Sequence, residues 1–268
     1  MAGRPPDGMI SETTASYETD DRYWNQIGPF GGWIAAALLR PVLDHPERHG
    51  SPLSITINFA AAIRAGRYDV RVELLRRNRS TSFWFVRFLQ EQDGETVHCA
   101  DATVVMAVRR PMMSFAIAKP PEAQAPEAIA PANMESVRAA WMRQYDLRFV
   151  SGQPFTERPA DEDVHTVAWV RERDESPLTF ASLLAMCDCS FPQIFHRVTR
   201  FVPISTVSMT VYFHASDDDL GAVGSDFILY DATMRVAYDG FFDESSTLYG
   251  RDGKLLATME QIVWYKIS

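Results

Sequence analysis

The order of hydrophobic periodicities repeats once along the 268-residue chain, and this duplication restricts the fold more than any single motif does. Period-2 alternation, the mark of strands with one buried face, runs through 53–63 (LSITINFAAAI), 68–75 (YDVRVELL), 82–90 (SFWFVRFLQ) and 96–108 (TVHCADATVVMAV). Asp93-Gly94 supplies the turn before the last of these. Ahead of them, TASYETDDRYW reads as a strand, and GPFGGWIAAALLRPVL as a Gly-rich loop feeding a short helix with Pro41 near its end. Residues 119–133 (KPPEAQAPEAIAPAN) are rich in proline and alanine with no apolar face, which predicts a linker.

Beyond the linker the order returns. MESVRAAWMRQYDL reads as a helical patch and DVHTVAWVRER as a strand, and Ser176-Pro177 as the cap and first turn of a second helix. Strands are predicted at 206–215, 227–238, 240–250 and 254–266, with Asp252-Gly253 as the final turn. Landmarks keep step: Pro41 and Pro192 are 151 positions apart, Phe59 and Phe213 are 154, Gly94 and Gly253 are 159. On this register Leu53 matches Val207, Ala37 matches Asp188 and Ala102 matches Gln261, so the second half carries polar groups where the first is bland.

Asp188 is the sharpest of these. It sits at the centre of LLAMCDCSFPQIF, where helical spacing puts Leu184, Asp188, Phe191 and Phe195 on one face. A carboxylate turned into an apolar face is costly unless it is compensated, so it is either satisfied structurally or used in a perturbed state. Pro192 cannot donate to the Asp188 carbonyl, which predicts a kink or a thinning of the helix at the acid.

Composition narrows the function. At 46% hydrophobic and 12% aromatic residues the chain can bury a large core, and a net charge of -9 argues against a nucleic-acid protein. The N-terminal MAGRPPDGMISETT has no apolar signal core, and runs such as WIAAALL are too short to span a bilayer. Cys99, Cys187 and Cys189 form no disulfide framework and read as small buried residues suited to a reducing, cytoplasmic setting. His214 with Asp217, Asp218 and Asp219 reads as a solvated turn rather than a metal site, and Arg76, Arg77 and Arg79 as a solvated hairpin. No Gly-x-Ser-x-Gly elbow and no phosphate-binding P-loop is present. The expectation is therefore an enzyme or binding protein with no cofactor and no metal, and with neither nucleic acid nor membrane as partner.

GPFGGWIAAALL, LLAMCDCSF, ISTVSMTVYFH and GRDGKLLATMEQ, taken in order, resemble the helix openings and site strands of the double-hotdog acyl-CoA thioesterases of the thioesterase II family. The likeness runs over roughly residues 20–266. It implies an α+β double hotdog, with two tandem antiparallel sheets each wrapping a central helix. The expected division is an N-terminal half at 14–110 with a degenerate site, a linker with a short helix at 111–160, and an acid-bearing half at 161–268. The resemblance implies hydrolysis of acyl-CoA, or of a carrier-protein thioester, by a water that Asp188, Thr206 and Gln261 orient, in a homo-oligomer. Gly31 and Gly32 are its candidates for binding the carbonyl oxygen.

The chemistry suits those residue types. A thioester carbonyl is already electrophilic and its thiolate leaves readily, so hydrolysis needs chiefly an oriented water and a place for the oxyanion. A desolvated Asp accepts a proton, Gln and Thr orient, and the free N-H groups of a helix start favour negative charge. Acyl-chain length would depend on packing around residues such as Trp84, Phe85, Phe191 and Phe195. Two alternatives stand beside this reading: a non-catalytic acyl-thioester binding protein, and a hotdog hydratase or dehydratase. The latter needs a cleft His paired with an acid, and the sequence suggests none.

Overall fold

The computed structural model describes residues 11–134, 137–154, 164–198 and 200–267. The expectation about a signal segment therefore falls in part on residues outside this set, as do Glu135 and Ser136 of the helical patch and Asp163 of the next strand. The first half runs β1 (Ser11–Glu18), α1 (Gly31–Leu43), β2 (Ser51–Phe59), β3 (Arg67–Arg77), β4 (Thr81–Gln92) and β5 (Glu95–Ala107). The second runs β6 (Tyr145–Ser151), β7 (His165–Glu172), α2 (Phe180–Cys187), β8 (Ile204–Phe213), α3 (Asp217–Val223), β9 (Ile228–Thr233), β10 (Ala237–Tyr238), β11 (Phe241–Gly250) and β12 (Leu255–Tyr265).

The strands form one antiparallel sheet in the order β1-β3-β4-β5-β2-β8-β12-β11-β9-β7-β6, with β10 on β11. Read outward from the β2–β8 seam, the two sides match strand for strand: β2 with β8, β5 with β12, β4 with β11, β3 with β9, and β1 with β7. The double hotdog is thus continuous through its centre. At the seam Thr56 pairs with Thr210, and the two are 154 positions apart, the offset of Phe59 and Phe213. Alternation along the strands turns Ile55, Ile57, Trp84, Val86, Phe88, Met209, Val211 and Phe213 inward against the two helices. Fully burying a Phe such as Phe88 or Phe213 contributes about 1.5–3 kcal/mol.

Several expectations change at the level of elements. β6 lies within the stretch expected to be linker and helical patch; in the patch the described helical residues are Ala140–Gln144, a 3₁₀ turn, and Tyr145 and Leu147 alternate into the core. The helix expected to begin at Ser176 begins instead after Thr179. There the Thr179 hydroxyl accepts the Ser182 N-H at 3.1 Å, and the Ser182 hydroxyl accepts the Thr179 N-H at 2.8 Å. The predicted strand at 227–238 is interrupted after Thr233. Asp217–Asp219 do not form an open turn: they are the first turn of α3, capped by Ser216, where acids favour the helix dipole. No described helix is long and apolar enough to cross a membrane.

Candidate active site

α2 ends at Cys187, one residue before the acid. Asp188 is its C-cap (φ -98°, ψ 7°), and the Asp188 and Cys189 N-H groups donate to Ala185 O and Met186 O, each at 3.1 Å. The expected face of Leu184, Asp188, Phe191 and Phe195 does not form, because Pro192 cannot extend the helix; the chain restarts as a 3₁₀ turn at Gln193–His196. The carboxyl is delivered by a tight turn, not by a helical face.

That turn meets the start of α1. Phe30 stacks on Trp141 with centroids 4.1 Å apart, and the Phe30 N-H donates to Tyr23 O at 2.9 Å, which fixes the approach. The first intrahelical bond runs from Ile34 N-H to Phe30 O, so the N-H groups of Gly31, Gly32 and Trp33 precede the ladder. A Cβ on Gly31 would lie 2.7 Å from Asp188 Oδ2, and one on Gly32 would overlap the Ala185 carbonyl oxygen. Each glycine is therefore needed for a close approach: Gly31 for the acid, Gly32 for the crossing of α1 over α2.

Gln261 and Thr206 come from β12 and β8. Gln261 is 6% exposed, and the Thr206 hydroxyl donates to its Oε1 at 3.4 Å. Strict alternation from Met209 would turn Val207 inward and Thr206 outward. A bulge at Val207 reverses this, so Ser208 pairs with Ile262 but Thr206 with Val263, and Val207 is left 41% exposed. The first half has the same bulge at Leu53, where Pro52 occupies the position of Thr206.

The pairing also corrects the match for Gln261. Ile55 pairs with Val104 and Met209 with Gln261, so Val104, not Ala102, is the first-half counterpart. The reason is a hairpin two residues longer between Gly94 and Cys99 than between Gly253 and Leu256, whose carbonyls occupy equivalent places. The contrast itself holds, since Val104 is a buried aliphatic residue.

Burial pushes the Asp188 carboxyl up to about 7, while the Gly32 N-H and the Gln261 amide, by hydrogen bonding, pull the other way. A carboxyl so placed accepts a proton near neutrality. One neighbour escapes the sequence reading. Glu244 of β11 lies directly across from Gln261, is fully buried, and accepts hydrogen bonds from the Ser190 hydroxyl and the Gln193 N-H (3.1 Å). Its signal was present in β11, where Phe242, Glu244, Ser246 and Leu248 share the inward face. Cys99, Cys187 and Cys189 are buried free thiols.

Residues 20–107 match the model of the acyl-CoA thioesterase N-terminal domain, and residues 120–265 that of the C-terminal domain. Among solved structures, a hot dog fold protein of unknown function from Alicyclobacillus acidocaldarius is 33% identical, with a TM-score of 0.89 over 95% of this chain and 94% of that one. A putative thioesterase II from Thermobifida fusca aligns at 18% identity and TM-score 0.80, covering 95% and 92%. The acyl-CoA thioesterase II TesB2 of Mycobacterium marinum aligns at 17% and 0.73, covering 95% and 93%. No curated protein matches the chain. With both halves matched in order and the double hotdog traced strand by strand, the chain belongs to the acyl-CoA thioesterase family.

Proposed function

We propose that the chain hydrolyses acyl-CoA thioesters, with carrier-protein thioesters as a second acyl donor, at the junction of Asp188, Gln261, Thr206 and the start of α1. In this reading residues 14–110 supply the helix start and residues 161–268 the acid. The observation that carries the proposal is the placement of Asp188 Oδ2 so close to Gly31 that a Cβ there would lie 2.7 Å from it, with Gln261 hydrogen-bonded to Thr206 beside it.

The ionised Asp188 takes a proton from a water whose orientation Gln261 and Thr206 fix, and the water oxygen attacks the thioester carbon. The carbonyl oxygen gains the negative charge and is received at the first turn of α1. There Gly31 offers its N-H, and the helix dipole favours the anion. The Gly32 N-H also pulls the Asp188 carboxyl down, so Gly31 is the principal donor in this scheme and Gly32 the second. As the tetrahedral centre collapses, the C–S bond breaks and the proton held on Asp188 passes to the departing thiolate. The carboxylic acid and the thiol are released, and no covalent enzyme intermediate forms.

The test is release of free thiol from a panel of acyl-CoAs of graded chain length, by wild type and by Asp188→Asn. Wild type is expected to release thiol on part of the panel and Asp188→Asn to be slower by on the order of a hundredfold or more. Equal release by both proteins across the panel would sink the proposal.

A further inference from the structure

We propose that Glu244 is a positioning residue for this chemistry, one whose buried carboxyl holds the Asp188 turn and the Gln261 amide in register. The inference rests on the thioesterase reading above and adds a residue to it.

The geometry is a clamp. Glu244 sits on β11 opposite Gln261 of β12, and its two oxygens take the Ser190 hydroxyl and the Gln193 N-H. Ser190 and Gln193 follow Asp188 by two and five residues, so one buried side chain ties the acid's turn to the strand pair that carries its partner. The far end of the turn is anchored too. The Gln193 side chain reaches Thr166 Oγ1 at 3.2 Å, and that hydroxyl lies 2.8 Å from His196 Nε2.

The first half shows that the fold does not require an acid here. Trp84 pairs with Val104 as Glu244 pairs with Gln261, so the equivalent position holds a buried tryptophan. An apolar residue fills the site in one half and a buried acid fills it in the other. The acid lies beside Gln261, the shared partner of Thr206 and Asp188.

Gln261 also explains why the charge state of Glu244 matters. Its Oε1 accepts from Thr206, which leaves Nε2 for the two carboxyls. Burial pushes both carboxyls up, Asp188 to about 7 and Glu244 to about 8, the latter also raised by the nearby charge of Asp188, so the pair loses its two protons in coupled steps. Once both carboxyls are ionised they compete for Nε2, and Glu244 draws the amide away from Asp188. The other titratable groups around the pair are Tyr230 of β9, the Cys187 and Cys189 thiols flanking Asp188, Tyr145 of β6 and Glu172 of β7 behind Cys189, and His196 beyond Thr166.

The experiment compares pH profiles of kcat and KM for wild type, Glu244→Gln and Glu244→Leu. Wild type is expected to rise through about 7 as Asp188 ionises and to fall above about 8. Glu244→Gln keeps hydrogen-bonding atoms but cannot ionise. It should retain KM and the acid limb while losing the alkaline fall. Glu244→Leu should lose on the order of ten- to a hundredfold in kcat through misplacement of the acid. An alkaline fall that persists in Glu244→Gln, or a wild-type kcat in Glu244→Leu, would overturn the inference.

Should wild type release no thiol from any acyl-CoA, the hydrolase reading fails and a second measurement decides the clamp. Carboxyl 13C titration of wild type and Asp188→Asn should show the Glu244 midpoint moving down when the Asp188 charge is removed. An unmoved midpoint would overturn the clamp on its own.

Discussion

The hydroxyls of Thr56 and Thr210 lie 3.1 Å apart across the β2–β8 seam, where a residue pairs with its own counterpart 154 positions on. That point is the centre of the duplicated architecture. Five strands of the second half have a counterpart reached through it, which makes the chain its own control. The counterparts of Thr206, Gln261 and Glu244 are Pro52, Val104 and Trp84. One half keeps an apolar packing solution where the other has a polar cluster.

The seam itself can be weighed. Thr56→Val and Thr210→Val each remove one partner of the hydroxyl pair, and each is expected to destabilise the fold by about 0.5–1.5 kcal/mol in urea unfolding. The double variant should cost less than the two together, because it leaves no orphaned hydroxyl. Strict additivity would mean that the pair is not coupled.

Asp188 gives a stability signature independent of any substrate. Its folded-state value, about 7, lies above the usual carboxylate value, so between these limits the folded protein binds more protons than the unfolded chain. The contribution is fully present below the unfolded value and is lost as pH rises through about 7. Thermal unfolding of Asp188→Asn should therefore decline less than that of wild type as pH increases from 4 to about 7. Parallel curves for the two proteins would rule out a perturbed acid at this position.

The two glycines at the start of α1 should separate function from folding. Gly31→Ala places a methyl group 2.7 Å from Asp188 Oδ2, and the carboxyl can move aside only by leaving its aligned position. We expect kcat/KM to fall by about tenfold or more with little change in Tm. Gly32→Ala instead drives a methyl group into the Ala185 carbonyl, which belongs to the backbone of α2. There the expected result is a loss of about 1–3 kcal/mol in stability, read by chemical denaturation.

Much of this was legible in the residues. Period-2 runs place β2 to β5 and most strands of the second half, because one buried face leaves a pattern that packing cannot blur. Asp188 stands out as a carboxylate in an apolar stretch, and Gln261 as a polar residue whose counterpart is apolar. What escapes is set by chain geometry that composition does not encode. The Thr179 capping box, three residues past Ser176, depends on a reciprocal side-chain exchange. β6 is seven residues long, and its register against β7 shifts near its end. Glu244 was readable from the parity of β11, yet its importance depends on which strand lies opposite. Thr206 is the instructive case: the family resemblance placed it in the site, whereas alternation alone turns it outward.

The Val207 bulge reconciles the two, and it yields the last expectation. With the bulge, the Thr206 hydroxyl reaches Gln261 Oε1 at 3.4 Å, a long contact worth little to folding but enough to bias which way the amide faces. Thr206→Val keeps the shape and removes the donor. The amide then loses the partner that commits Nε2 to Asp188, and kcat should fall by about tenfold while KM and Tm stay near wild type. Thr206→Ser restores the hydroxyl on a smaller side chain and should recover most of the rate. If Thr206→Val lowers Tm and leaves kcat untouched, Thr206 is a strand residue that happens to face inward, and orientation of the water would then rest on Gln261 and Asp188 alone.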